Sequence, residues 1–208
     1  MLASKPDPAT GKPDPAKMKA FLAAHPETAR AIQLINAKPF SSGFANATYN
    51  SLDAFRFVNA AGASTPVRGS MVTAEPFEPG APDQATAQDK NYLFAALIAR
   101  IEQAPLRWHL IVTPGQPDDP TDDATTPWPD NREHVDVGTL TIDHIESEAP
   151  GNCRDVNFDP LVLPFGIAPS DDPLLSARSA AYSQSFTRRA GGKKEPSAVQ
   201  AADTGMGE

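Results

Sequence analysis

The chain is expected to fold as an α+β protein, and three observations lead there. Apolar residues recur at helical spacing in two well-separated segments, Met18/Phe21/Leu22 and Leu93/Phe94/Leu97/Ile98/Ile101. They alternate with polar ones at strand spacing around Phe55/Phe57 and Trp108/Leu110/Val112. The resulting order is helices, hairpin, helix, two strands, a long arm and a last helix. Strands run together rather than alternating one for one with helices, which separates this pattern from a doubly wound parallel sheet.

Residues 1–14 are polar and proline-rich and read as a disordered or loop N-terminus. Asp14-Pro15 supplies an N-cap followed by proline at the first helical position, where the missing N–H costs nothing. His25-Pro26 breaks this helix, and a second short one follows through Ile32 and Ile35. The break gives His25 a capping or hydrogen-bonding role rather than a catalytic one. A strand is expected at Phe55–Val58, a turn at Asn59–Gly62 and a returning strand from Val67 to Thr73, weakened by Gly69. Residues 76–88 read as loop. The stripe from Leu93 to Ile101 predicts an amphipathic helix whose apolar face is core.

Trp108, Leu110 and Val112 predict a buried strand. His109 lies within it, without a second ligand at metal spacing, and reads as a satisfied strand histidine. Residues 115–131 carry Asp118, Asp119, Asp122 and Asp123 without EF-hand order, so a solvated loop is expected rather than a calcium site. Val135 to Ile145 reads as the last strand, and Pro150 to Asp171 as an extended wrapping segment. A helix is expected from about Pro173 to Thr187, and residues 190–208 as a disordered tail.

Composition narrows the function classes. At 208 residues the chain can build one real core, but 22 prolines foretell long irregular stretches around it. A net charge of −8 and a pI near 5.0 argue against a nucleic-acid partner, which needs clustered Lys and Arg. The lone Cys153 excludes an intramolecular disulfide and a multi-cysteine metal site. No apolar run is long enough for a membrane helix, and no signal peptide is visible after Met1.

The chemistry concentrates at Arg178 and Tyr182. Four residues apart on a helix, they share a face. A fixed guanidinium charge beside a phenol favours the phenolate, a hard anionic oxygen suited to ferric iron. The same spacing also serves ordinary cation–π packing.

The surrounding residues carry a resemblance. Gly166-Ile167, Ser170, Asp172, Leu175, Arg178 and Tyr182 keep the order of the stretch that leads to the proximal tyrosine of haem catalases. Lys17-Met-Lys-Ala-Phe-Leu-Ala-Ala-His-Pro-Glu-Thr28 is similar to the family's "FL-x-x-HPE" helix, and Asp53-Ala-Phe-Arg-Phe-Val-Asn-Ala60 to its "HTFKLVNA" strand. Trp128-Pro129 followed by Val137-Gly138 and Leu140 is similar to its "WP…VGKL" region. The Asp-Pro-Leu-Val-Leu-Pro run at 159–164 resembles the small catalase-related peroxidase group.

This resemblance implies a catalase-like haem-binding domain over 15–189, with strands matching the second half of an antiparallel β-barrel. It implies Tyr182 as the axial haem-iron ligand and Arg178 as the group that keeps it deprotonated. Asp172, six residues earlier, would help hold that arginine, and Arg189 would lie near a haem propionate. The implied activity is reduction of hydrogen peroxide or organic peroxides on Tyr-ligated ferric haem, with an electron donor that the sequence leaves open.

The resemblance also has a gap. The family's distal histidine, in "V-H-A/E-x-G", has no counterpart among His25, His109, His134 and His144, and Gly69-Ser70 replace larger residues. The expectation is therefore either a catalase-related peroxidase represented here by its proximal half, or a non-enzymatic haem-binding remnant or truncated fragment. Half a barrel leaves strand edges open, which leaves homo-oligomerisation open too. Cytoplasm and periplasm stay equally open, because a targeting signal would sit upstream.

Overall fold

A computed structural model describes residues 5–8, 10–80, 91–146, 156–192 and 199. The chain divides into two compact units, Met1–Pro39 and Phe40–Glu208.

The first unit holds two helices, α1 (Pro15–Ala24) and α2 (Pro26–Asn36). Asp14 Oδ1 accepts hydrogen bonds from the amides of Ala16 at 2.9 Å and Lys17 at 3.4 Å, so the N-cap expected from Asp14-Pro15 is formed. His25 ends α1, its amide donating to the Phe21 carbonyl at 2.9 Å. Its ring stacks on Phe21 at 4.4 Å between centroids, and its Nδ1 lies 3.0 Å from Glu27 Oε1. The hydrogen-bonding role expected for His25 holds, although its side chain caps no backbone group of α2.

The second unit is built on a six-stranded antiparallel sheet in the order β5-β4-β3-β2-β6, with β1 pairing beside β3. The strands are β1 (Tyr49–Asn50), β2 (Phe55–Val58), β3 (Ser64–Thr73), β4 (Leu106–Pro114), β5 (Val135–Ile142) and β6 (Ile167–Pro169). The helices are α3 (Tyr92–Gln103) and α4 (Pro173–Gly191). The hairpin expected from the alternation is present, with Phe55 opposite Val67 and Val58 opposite Ser64. Asn59 Oδ1 closes its turn by accepting from Ala61 at 3.0 Å and Ala63 at 2.9 Å.

Strand β3 pairs with β4 from Val67↔Pro114 to Thr73↔Trp108, and a bulge at Leu110/Ile111 interrupts the β4–β5 ladder. The sheet is not closed: β5 and β6 end the order.

The expected last strand is corrected twice. β5 stops at Ile142 rather than Ile145, and the segment read as a plain extended arm contributes a further strand, β6. Gly166, at φ 87°, takes a left-handed turn that a Cβ would disfavour. Its carbonyl then accepts from Val58 at 2.8 Å, and Ile167 enters the ladder opposite Phe57. β6 is a pairing between residues more than a hundred positions apart, so no local alternation announces it. Helix α4 also runs past Thr187 to Gly191. Residues 150–155, including Cys153, and most of the expected tail lie outside the described residues.

The core is small and sits at one end of the sheet. Ile101, Leu106 and Trp108 form its buried cluster, with Met71, Leu97 and Ile142 packed around it. Trp108 Nε1 donates to the Ala47 carbonyl at 3.0 Å, which satisfies the one polar atom that burial would otherwise strand. Two expectations are narrowed here. Of the α3 stripe only Ile101 is buried, and along β4 burial fades from Trp108 to a half-exposed Leu110.

The acidic loop is not simply solvated. Asp119 is buried, accepting from Arg132 Nε at 2.7 Å and Nη2 at 2.8 Å and from the Gln116 amide at 2.7 Å. Asp123 accepts from the Thr125 and Thr126 hydroxyls at 2.6 and 2.8 Å. Arg68 reaches out of β3 to donate to the carbonyls of Thr126 at 2.8 Å and Asp123 at 3.1 Å, and its guanidinium lies 4.8 Å from the Trp128 ring centroid. The loop is thus a folded structure around Trp128 and Arg68. No group of acidic, histidine or cysteine side chains suited to a metal ion occurs among the described residues.

Candidate functional site

Helix α4 positions the two residues that the sequence singles out. Its start is determined locally: Asp172 Oδ1 accepts from the Leu174 amide at 2.8 Å, and Pro173 occupies the first turn. Leu175 is buried and anchors the helix, while Ser179 Oγ donates to Asp159 Oδ2 at 2.8 Å and ties it to the preceding arm. One turn on, Arg178 and Tyr182 share a face, as their spacing requires.

Arg178 grips the phenol twice. Its Nε and Nη2 donate to Tyr182 Oη at 3.2 and 3.0 Å. Its remaining terminal nitrogen, Nη1, forms an ion pair with Asp53 Oδ2. The guanidinium is thereby a fixed bridge between a buried carboxylate and a phenol oxygen. The arginine is pushed above its ordinary value, first by the hydrogen bond to Tyr182, and burial opposes this before the Asp53 charge adds to it.

Asp53 was not singled out from the sequence, and it is the partner that Arg178 finds. It lies between β1 and β2 and is 1% exposed beside a fully buried Ala54. Asp172, expected to hold Arg178, does so only at one remove: it caps α4, and its carboxyl neighbours that of Asp53. Asp172 is itself 5% exposed, and its carboxyl is raised above its ordinary value by burial first and by the neighbouring Asp53 as well. One signal could have found Asp53: it stands where the "HTFKLVNA" strand motif opens with histidine.

Arg189 lies in the last turn of α4, where its Nη2 donates to the Val156 carbonyl at 3.2 Å and its guanidinium sits 5.9 Å from the Phe186 ring centroid. It is three turns of helix from the Arg178 bridge and makes no part of it. His109, on β4, has its Nδ1 2.9 Å from Asp136 Oδ2, the satisfied strand histidine that was expected.

A second feature accompanies the bridge. An apolar groove of about 530 Å³ opens over the middle of the sheet, floored by Phe55, Val67, Met71, Leu110 and Val112, with Arg68 at its edge. Tyr182 does not line it. No described helix is long and apolar enough to cross a membrane.

Fold and site together define an α+β protein in which a cation-held tyrosine, backed by buried carboxyls, is carried on a helix beside an open antiparallel sheet. The family profile described as Catalase matches residues 1–203, and the chain belongs to the catalase family. It is 39% identical over 193 residues to the catalase-related peroxidase of Synechococcus elongatus, covering 92% of this chain and 57% of that protein. It is 32% identical over 182 residues to the catalase-related peroxidase of Mycolicibacterium paratuberculosis, covering 87% and 58% respectively. The chain therefore spans somewhat over half the length of these curated relatives. Among solved structures, a fungal catalase superposes with a TM-score of 0.74 at 20% identity, over 91% of this chain and 41% of that one, which establishes the fold.

Proposed function

We propose that the chain supplies the tyrosine-bearing side of a haem-dependent oxidoreductase that degrades hydrogen peroxide or organic peroxides. The observation that carries this reading is the Arg178–Tyr182 geometry inside a chain of the catalase family. The donor set fits ferric haem: two N–H groups of one cation converge on a phenol oxygen, and hydrogen bonds donated to an oxygen favour its anionic form. Tyr182 would hold the iron, and Arg189, at the far end of α4, offers a cation for a haem carboxylate. Haem, when bound, would supply an iron centre for peroxide reduction, and tyrosine is the haem-iron ligand that catalases use.

The residues of this chain do the rest on one side of that group. Arg178 fixes the Tyr182 Oη by donating to it twice. Asp53 keeps Arg178 from swinging into solvent, and Asp172 in turn sits against Asp53. Proton transfer during O–O cleavage requires a general base facing the peroxide. His109, the strand histidine nearest in kind, is already engaged with Asp136. A non-enzymatic haem-binding role is the second reading, favoured by the open sheet.

The test is reconstitution of the chain with ferric haem, comparing the parent with Tyr182→Phe. The parent should display the absorption and resonance Raman bands of tyrosinate-to-iron charge transfer, and the variant should lack them. Identical spectra from the two proteins would remove Tyr182 from the iron.

A further inference from the structure

We propose that Asp53 and Asp172 share one proton, Asp172 Oδ2 donating to Asp53 Oδ1, and that this acid–carboxylate pair positions Arg178 on Tyr182 by leaving a single negative charge behind the guanidinium.

The first support is geometric. Treated as two ionised acceptors, both residues strand an oxygen: Asp53 Oδ1 and Asp172 Oδ2 are buried and find no donor. Their other oxygens are engaged, Asp53 Oδ2 by Arg178 and Asp172 Oδ1 by the Leu174 amide. A buried acceptor without a donor is costly, and here two neighbouring carboxyls face the same deficit. One proton between them satisfies both at once. Two close carboxyls sharing a proton are the known solution wherever like charges cannot both ionise.

Charge counting points the same way. The groups facing Asp172 are Asp53 from the β1–β2 loop, Arg68 from β3 and Asp122 from the acidic loop, with Arg178 of α4 reached through Asp53. Arg68 spreads its charge over Asp123, Asp172, Asp53 and Asp119, but its terminal nitrogens donate to the carbonyls of Thr126 and Asp123 and its buried Nε finds no acceptor, so it does not satisfy the two stranded oxygens. Full ionisation would set two neighbouring buried negative charges, Asp53 and Asp172, behind one guanidinium. Protonated Asp172 leaves Asp53 alone to face the cation. Burial and the Asp53 charge both raise Asp172. A raised carboxyl favours the fold below its ordinary value near 4, and that contribution is lost as pH climbs through the raised value in the folded state.

Asparagine is the diagnostic replacement. Asp172→Asn keeps an N-cap of equal rank and presents a permanent N–H to Asp53, imitating the protonated acid. Asp172→Leu keeps bulk but offers neither. In the 208-residue chain without haem, infrared difference spectra at pH about 6, above ordinary carboxyl values of about 4, should contain the C=O band of a protonated carboxyl. Asp172→Asn should abolish it. Absence of the band in the parent, or its survival in Asp172→Asn, overturns the shared proton. Unfolding measured from pH about 4 to about 7 should give a falling limb in the parent that Asp172→Asn lacks, and equal slopes would count against the proposal.

The positioning half rests on Tyr182 as the iron ligand. In haem-loaded protein Asp172→Asn should keep the parent's charge-transfer band across pH, while Asp172→Leu should lose it at a different pH from the parent. If Asn and Leu behave alike, the positioning role is overturned. If the parent has no such band while the infrared band is present, it is the Tyr182 reading that fails.

Discussion

Arg178→Leu tests the bridge most directly, because one substitution removes both of its ends. Asp53 is almost wholly buried and has one oxygen already without a donor. Taking away Arg178 leaves that carboxylate with no cation in contact. Breaking a buried ion pair from one side costs about 3–5 kcal/mol. The Arg178 side chain is 39% exposed, so water can partly replace it, and the low end applies, about 3 kcal/mol. For a chain of this size that corresponds to a fall in Tm of about 6–12 °C. Circular dichroism melts of the parent, Arg178→Leu, Asp53→Asn and the double variant complete the cycle. The double variant should recover much of the loss, since no charge is then left buried without a partner. A single Arg178→Leu melting within about 2 °C of the parent, or a double variant no better than the single, would refute the view that Asp53 depends on Arg178.

Three further outcomes follow from the geometry. Asp119 is held below the usual carboxylate range by its hydrogen bonds from Arg132, with burial opposing and the Gln116 amide assisting. Its contribution is present above the ordinary value near 4 and is lost as pH falls through the depressed folded value, so Arg132→Met should weaken the fold at neutral pH and flatten its acid limb below pH about 4. An unchanged acid limb in urea titrations would place Asp119's role elsewhere. Leu106→Ala should cost about 2–5 kcal/mol by urea unfolding, because Leu106 is fully buried against Ile101 and Trp108. Val162→Ala, at an 80% exposed position, should cost less than about 0.5 kcal/mol.

Legibility in the sequence tracks the range of the interaction. The Asp14 N-cap before α1 follows from an acid–proline pair, since its bonds span two or three residues; Asp172-Pro173 before α4 is the same pair, but the resemblance makes Asp172 a partner of Arg178 and not a cap. The β2–β3 hairpin follows from alternation around a four-residue turn. The extent of β3 does not: it begins at Ser64 rather than Val67, because it is β2 on the other side of the turn that supplies the pairing. Asp119 reads as one of several carboxylates in a polar loop, and only Arg132 and Gln116 distinguish it. Likewise the apolar stripe of α3 is periodic throughout, yet burial reaches only Ile101, where Leu106 and Trp108 meet it.

By itself the sequence determined the α+β order, the Asp14 cap, and the Arg178–Tyr182 pair, because each is set by spacing along a single helix or turn. Its motifs also sufficed to place the chain in its family. Which acid holds Arg178 was decided only by the tertiary structure. Asp172 is six residues away and Asp53 is 125, and the chain bends so that the distant residue contacts the guanidinium while the near one caps the helix. A helix presents neighbours three and four residues apart on one face, whereas a residue at its N-cap lies more than a turn away from Arg178 along the axis. The β1–β2 loop, brought beside α4 as β6 pairs with β2, fills that gap and puts two buried carboxyls against each other.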